Sequence, residues 1–257
     1  MEQGFDPNMF INTEYELENY EYKGIKQQCY CLKSGSTDYD LTGQIIWRAA
    51  TQLAEYIIDN QDLFRDKVVL ELGAGVGVSG LVCSQFAKKV YITDGNEIVS
   101  DLMDKNVQFA QNKNVEAELY LWGKEGDQKF LSTKKDLKID CIIGADILYW
   151  QDSIEPLAET LETYLQLNSD IKIYVASRIR AKWVERQFEN QLLKRNLVRI
   201  EQFAEGSNRF FLIRKFLDEN EKQEKIKQLE LQEQESKQQS EKSDQIYLEK
   251  HLKTQQK

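Results

Sequence analysis

The glycines between Val68 and Gly80 are the residues whose type and spacing point most directly to a chemical role. A short apolar run typical of a buried strand ends in Gly73, Gly75 and Gly77, and an apolar helix pattern follows. Such a turn presents free backbone N–H groups at the start of a helix, and glycine places no Cβ in the way of a ligand. The segment predicts a site for a nucleotide-like cofactor; a tight turn without a ligand is the alternative.

Two cofactors fit this segment. Gly75-x-Gly77-x-x-Gly80 matches the dinucleotide pattern, and Asp94 follows about 20 residues on, where a ribose-binding acid is expected. Both NAD and S-adenosylmethionine carry a ribose that would bind this acid. Glu71, at the strand end, would repel a pyrophosphate, whereas it could reach the ammonium group of S-adenosylmethionine or brace the loop. The acid therefore favours S-adenosylmethionine over NAD.

An alternation of strand and helix patterns surrounds these residues. Strands are predicted at Val68–Leu72, Val90–Thr93, Glu118–Trp122, Ile139–Ala145, Ile171–Ala176, Leu197–Phe203 and Arg209–Phe216. Helices are predicted at Gly43–Asp59 with Thr42 as its cap, Val78–Ala87, Ile98–Gln111, Ser153–Leu167 and Lys182–Lys194. Alternation predicts an α/β fold with helices on both faces of a parallel sheet, and a short turn makes the last two strands antiparallel. We expect the Rossmann-like, seven-stranded class I methyltransferase sheet, mostly parallel with a C-terminal antiparallel hairpin.

Length and composition suit one domain with two appendages. The 257 residues divide into an N-terminal extension with a small hairpin (1–40), the main domain (41–216) and a polar, helical or disordered tail (217–257). The sequence lacks a membrane-spanning apolar run and a signal-peptide pattern, and its four cysteines are few. We expect a cytoplasmic or also nuclear protein with buried thiols at Cys83 and Cys141 and no zinc at Cys29 and Cys31.

Charge and the position of acids narrow the chemistry further. A net charge of −9 disfavours a nucleic-acid partner and is compatible with a basic protein surface. Asp146 follows the apolar run Cys141–Ala145, at the carboxyl edge of the predicted sheet where ligands bind. A structural cap on the next loop is the alternative for this acid. The one histidine, His251, lies in the tail, so the main domain has no histidine-dependent catalysis.

Four motifs in this order resemble a known family. They are the segment Thr42–Ala50, the glycine loop, Leu121–Gly123 and Gly144–Tyr149, and Ser177–Arg180 adds a fifth similarity. Together they resemble the eukaryotic seven-β-strand protein-lysine methyltransferases of the methyltransferase-like family 16 group. Arg48 departs from the pattern, because many members carry Asp or Pro after the tryptophan.

This resemblance implies a role for each matching position. The implied cofactor-binding residues are Trp47, Glu71, Gly73, Ala74, Gly75, Asp94 at the ribose, Trp122 at the adenine edge and Ala145. Asp146 and Tyr149 form an Asp-x-x-Tyr motif at the substrate mouth and are the catalytic residues. Core packing is the alternative for the aromatic residues.

Together, the residues and the resemblance predict transfer of a methyl group from S-adenosylmethionine to a lysine of a protein substrate. No metal, membrane or nucleic acid is expected to take part, and the core is expected to be monomeric. The alternatives are a methyltransferase acting on nucleic acid or a small molecule, and an inactive interaction scaffold. An NAD-dependent oxidoreductase is disfavoured by Glu71, by the closing hairpin and by the lack of a proton-relay histidine in the main domain.

Overall fold

A computed structural model describes residues 14–33, 42–134 and 137–255. It divides the chain into two compact units, one ending at Lys215 and the other beginning at Phe216. Residues 1–13 and 34–40 of the predicted extension, and residue 41 of the main domain, lie outside the described residues. None of the helices in the described part of the chain is long and apolar enough to cross a membrane.

The first unit is built on a seven-stranded sheet. Its strands are β3 (Val68–Leu72), β4 (Lys89–Asp94), β5 (Val115–Leu119), β6 (Cys141–Ala145), β7 (Lys172–Arg178), β8 (Leu197–Glu205) and β9 (Asn208–Lys215). Their order is β5-β4-β3-β6-β7-β9-β8, with all pairs parallel except β7–β9 and β8–β9. This confirms the predicted class I methyltransferase sheet with its antiparallel closing strands.

Helices cover both faces of this sheet. They are α1 (Arg48–Asp59), α2 (Val78–Cys83), α3 (Glu97–Val107), α4 (Lys124–Thr133), α5 (Gln151–Leu167) and α6 (Lys182–Lys194). One apolar cluster joins the sheet to α1, α2 and α3, and a second joins its other face to α4, α5 and α6. Successive strand residues pack into opposite clusters because side chains alternate along a strand. Val69 lies in the first cluster and Leu70 in the second.

An antiparallel hairpin of β1 (Glu16–Tyr22) and β2 (Ile25–Cys31) precedes the sheet. It belongs to the same compact unit, because Cys29 and Cys31 are buried in the cluster under α1, α2 and α3. Burial raises the pKa of the Cys29 thiol to about 12, so this thiol stays protonated. Asn106 of α3 fixes the hairpin by accepting from Tyr30 N at 2.6 Å and donating to Tyr30 O at 2.9 Å.

Some predicted boundaries were wrong. α1 begins at Arg48, because Thr42–Gln44 forms a separate turn of 3-10 helix, and the residue before α1 is Trp47 rather than Thr42. β5 ends at Leu119, before Trp122, and the largely polar α4 was not predicted. α2 ends at Cys83 instead of Ala87.

In the described part of the second unit, a single helix of 37 residues, α7 (Glu219–Gln255), follows a short non-helical start. Asp218 precedes it and accepts a hydrogen bond from Glu221 N at 2.9 Å, which satisfies a free amide of the first turn. The sequence left open whether this tail is helical or disordered, and the structure describes it as helical.

Candidate active site

A cavity of about 730 Å³ lies where β3, β4 and β6 end. This size is within the range of pockets that hold small molecules, and the carboxyl edge of a parallel sheet is where such pockets form. Nine of the ten predicted site residues line it: Trp47, Gly73, Ala74, Gly75, Asp94, Trp122, Ala145, Asp146 and Tyr149. Glu71 is not among the lining residues.

The glycine loop between β3 and α2 forms one end of this cavity. Gly73 and Gly75 adopt left-handed backbone conformations, with φ of 60° and 56°. A Cβ at Gly73 would lie 2.8 Å from Ile147 Cγ2, and one at Gly75 would lie 2.9 Å from Gly43 O. The protein's own atoms therefore require both glycines, and the close approach that the sequence suggested for a ligand is made by the chain itself.

The third glycine of the dinucleotide pattern also serves packing. A Cβ at Gly80 would lie 2.3 Å from Ile92 Cγ2 and 2.4 Å from Glu71 Oε2. Gly80 thus lets α2 pack closely on the strands beneath it. Its match to the dinucleotide pattern carries no information about the ligand.

Glu71 braces this turn from below, which is one of the two roles that the sequence left open for it. Its side chain is buried, and Oε2 accepts a hydrogen bond from Gly80 N at 2.9 Å. Burial raises the pKa of Glu71 to about 8, against the opposing hydrogen bonds from Ser79 and Gly80. Side chains point to alternate faces along β3. The Glu71 side chain therefore points into a packed layer and not beyond the end of the strand.

Asp94 ends β4 and faces the glycine loop across the cavity floor. Its Oδ2 accepts from Gly75 N and its Oδ1 from Asn96 N, both at 3.1 Å. Burial raises the pKa of Asp94, while backbone hydrogen bonds from Gly75, Asn96 and Gly95 oppose that shift. An ionised carboxylate has about four acceptor positions, so Asp94 retains capacity for hydroxyl donors such as those of a ribose.

Trp122 lies on the wall of the cavity, in the segment that leaves the sheet after β5. Tyr120 N donates to Asp94 O and Gly123 N to Thr160 Oγ1, both at 2.8 Å, and these bonds hold the segment in place. Trp122 Nε1 is buried without a hydrogen-bond partner among the described residues. A buried N–H of this kind offers a bound ligand a donor.

Trp47 has a different environment. Its Nε1 donates to Thr42 O at 2.8 Å, so the indole is anchored by the chain itself and presents its ring to the cavity. The core-packing alternative does not describe it, since its ring lies at the cavity and not inside an apolar cluster.

Asp146 forms the opposite end, directly after β6. Its φ of 59° is a left-handed conformation, which aspartate tolerates better than most residues, and its N–H donates to Ala176 O at 2.7 Å. Strain of this kind persists only where surrounding contacts impose it, and it accumulates at functional sites. The unusual backbone aims the carboxylate across the end of β7.

Arg180, between β7 and α6, binds this carboxylate. Its two terminal nitrogens contact the two oxygens of Asp146 at 2.6 and 2.5 Å. The guanidinium also lies 5.2 Å from the ring centre of Trp47 and 4.8 Å from that of Tyr149. The Asp146 carboxylate raises the pKa of Arg180, which keeps the guanidinium charged.

Arg180 was not among the site residues predicted from the sequence. Its only indication was the Ser177–Arg180 segment, which carried part of the family resemblance. The pairing with Asp146 joins positions 34 residues apart, and no local pattern predicts such a contact.

The cavity fits the predicted cofactor. Asp94 supplies acceptors for hydroxyl groups, Trp122 supplies an unpartnered donor, and aromatic and small residues line the space between them. At the far end, the charged pair of Asp146 and Arg180 and the ring of Tyr149 line the same cavity.

Comparisons with known proteins agree with this arrangement. The family model described as lysine methyltransferase matches residues 32–195. Protein-lysine N-methyltransferase EFM3 of Chaetomium thermophilum is 32% identical over 53% of this chain and 42% of its own length. Protein-lysine N-methyltransferase EEF2KMT of Mus musculus is 29% identical over 63% of this chain and 55% of its own. The chain thus spans about half the length of these curated relatives.

A solved structure shares the fold. The ribosomal protein L11 methylase of Lactobacillus delbrueckii subsp. bulgaricus superposes with a TM-score of 0.50 at 18% identity. The match covers 67% of this chain and 81% of that protein.

Proposed function

The chain belongs to the lysine methyltransferase family, and from this membership we propose that it transfers the methyl group of S-adenosylmethionine to a lysine side chain of a protein substrate. One observation carries the proposal. A single cavity joins the glycine loop and Asp94 at one end to Asp146, Tyr149 and Arg180 at the other. A cofactor half and a substrate half thus share one continuous space.

The end of the cavity that holds the glycine loop and Asp94 would bind the cofactor. Asp94 would accept hydrogen bonds from the ribose hydroxyls, and Trp122 Nε1 would donate to the base. The glycine loop would present backbone amides to the amino-acid moiety, since helix α2 starts there. When bound, S-adenosylmethionine supplies an electrophilic methyl group on a positively charged sulfur.

The protein's task at the second end is positioning. The lone pair of the target amine forms the new N–C bond while the C–S bond breaks, and sulfur keeps that bonding pair. The methylated nitrogen then loses its proton to solvent. Correct alignment of the two reacting atoms supplies much of the rate in such a displacement.

The lysine must arrive without its proton, although its pKa in water is about 10.4. Tyr149 and Trp150, whose ring centres are 4.7 Å apart, would exclude water from the amine and so favour its neutral form. Asp146 would orient the amine by accepting one of its N–H groups. An isolated carboxylate would instead stabilise the ammonium, so orientation rather than proton removal is its role.

Substrate and location extend the proposal. We propose a lysine-bearing protein as substrate, as the names of the relatives state for those proteins. A cytoplasmic or also nuclear location is proposed too, and the four free, buried cysteines support a reducing compartment. A monomeric core likewise remains a proposal.

Labelling with S-adenosylmethionine tests the function. The purified protein is incubated with methyl-labelled cofactor and a cell lysate, and the labelled band and residue are identified by mass spectrometry. We expect label on lysine of one or few proteins. Label found in RNA or in small molecules alone would reject the lysine substrate, and its absence with intact cofactor binding would favour an inactive scaffold.

A further inference from the structure

Arg180 occupies the place where a target cation would be expected to bind. Its guanidinium contacts both oxygens of Asp146 and lies over the rings of Trp47 and Tyr149. A carboxylate together with nearby aromatic ring faces would also attract an ammonium group. In this protein, however, an internal arginine already takes that environment.

Several contacts keep Arg180 in this place. Two parallel N–H···O bonds form the strongest type of arginine–carboxylate contact. The Asp146 side chain is 6% exposed and that of Arg180 is 26% exposed. Removing Arg180 would leave the largely buried charge of Asp146 without its partner. The pair is therefore expected to persist when a substrate enters.

The remaining capacity of Asp146 is small. Oδ1 accepts from Arg180 and, at 3.2 Å, from Arg178 N, while Oδ2 accepts from Arg180. Of about four acceptor positions on a carboxylate, roughly one on Oδ2 is left. This position can orient one N–H of an amine, but the carboxylate no longer presents a net charge to an ammonium.

We propose that Arg180 is a positioning residue that balances the charge of Asp146, so that the cavity accepts the target amine in its uncharged form. This rests on the proposed function, in which the amine must be neutral to attack. Without Arg180, the bare carboxylate would hold the lysine as an ammonium ion, which has no lone pair to donate.

Other charges near the mouth do not replace Arg180. Charged or titratable groups on the surrounding segments lie before and in α5, at and after the end of β7, at the end of β4 and in α1. They are Asp146, Tyr149, Asp152, Arg178, Arg180, Asp94 and Arg48. The Arg48 side chain pairs with Glu55, and that of Arg178 donates to Ser207. Among these described side chains, Arg180 alone donates to the Asp146 carboxylate.

A binding experiment with n-butylamine tests the proposal without knowledge of the protein substrate. The full chain is saturated with S-adenosylhomocysteine, which lacks the sulfonium charge, and the affinity for n-butylamine is measured by NMR at pH 8 and pH 10. The permanent cation n-butyltrimethylammonium is measured alongside to correct for pH-dependent changes in the protein itself. The variants are R180Q, R180K and, as a matched control two residues away, K182Q.

We expect the affinity of the wild-type protein for n-butylamine to rise at least about tenfold from pH 8 to pH 10, because the neutral fraction of an amine with a pKa near 10.4 rises in this interval. R180Q should bind the ammonium form more tightly than the wild-type protein does at pH 8, since its Asp146 carboxylate is unpaired. Its affinity for n-butylamine should therefore rise less than about threefold from pH 8 to pH 10. R180K and K182Q should retain the rise.

Opposite results overturn the proposal. One such result is tighter binding of the ammonium than of the amine by the wild-type protein. Another is a rise in the affinity of R180Q for n-butylamine as large as that of the wild-type protein, and a third is no binding of the amine at either pH. Should R180Q not fold, the wild-type measurement with R180K still decides. Calorimetry with S-adenosylhomocysteine separates the two hypotheses: failure of the wild-type protein to bind it rejects the proposed function, whereas normal binding with preference for the ammonium rejects only the role of Arg180.

Discussion

The two ends of the cavity are built by different means. At the glycine end, backbone conformation sets the geometry, with left-handed glycines and amide hydrogen bonds to Asp94. At the mouth, side-chain charge and aromatic rings do so, through the pair of Asp146 and Arg180. Backbone geometry tolerates little substitution, whereas a charged pair can be altered with the fold intact. The two ends should therefore respond differently to mutation.

Gly75→Arg should produce the largest effect, at the glycine end. Gly75 has a φ of 56°, and a Cβ there would meet Gly43 O at 2.9 Å, so the side chain must displace the loop. We expect the affinity for S-adenosylmethionine to fall by more than about 100-fold, or about 2.7 kcal/mol, in calorimetry. Gly206→Arg is the matched control, because Gly206 has a φ of 59° with nothing within 4 Å of a Cβ. Unchanged binding by a folded Gly75→Arg variant would refute the assignment of this end.

Asp146→Asn should separate the two ends. Because the amide keeps the shape but not the charged contact to Arg180, we expect methyl transfer to fall by on the order of 100-fold. Affinity for S-adenosylmethionine should stay within about threefold, because Asp94 and the glycine loop are untouched. Labelled transfer and calorimetry measure the two quantities, with the exposed Asp170→Asn as control. An equal loss of cofactor affinity would move Asp146 into the cofactor site.

Sequence predicted the glycine end better than the mouth, for a physical reason. Strand β3, the turn and Asp94 lie within one strand–helix–strand unit, so apolar runs and glycine spacing report them directly. Asp146 could be placed at the sheet edge, because it follows an apolar run. Its partner Arg180 depends on the packing of β6 beside β7, which no local pattern encodes.

Glu71 and Trp122 show where sequence patterns left roles open. The acid was expected to contact the cofactor or brace the loop, and only the fold shows its carboxylate on Gly80 N. Trp122 was placed in a strand, but β5 ends at Leu119, and Gly123 N then donates to Thr160 Oγ1 rather than to a neighbouring strand. Long-range hydrogen bonds decided both outcomes.

Glu71→Gln should change stability with pH. Its folded pKa of about 8 lies above the ordinary value of 4.5, so the folded state holds a proton that the unfolded state releases. Wild-type stability from this group is therefore fully present below pH 4.5 and is lost as the pH rises through 8. Urea unfolding measures this change. The free energy of unfolding of Glu71→Gln, relative to that of the wild-type protein, should increase by about 1–3 kcal/mol from pH 5.5 to pH 8.5. The exposed Glu125→Gln should show no such gain, and parallel pH profiles for Glu71→Gln and wild type would contradict the buried protonated acid.

Trp122→Phe should produce the smallest effect. It decides whether the indole binds the cofactor or only packs against the protein. Because Trp122 Nε1 has no partner among the described residues, its removal should leave the stability of the free protein within about 1 kcal/mol. If the N–H donates to the cofactor, affinity for S-adenosylmethionine should fall about three- to tenfold, the loss expected for one hydrogen bond. Trp183→Phe, at a tryptophan that is 52% exposed, is the control for loss of an indole. Lower stability with unchanged affinity would instead make Trp122 a packing residue, and the glycine end would then bind its ligand through Asp94 and the backbone alone.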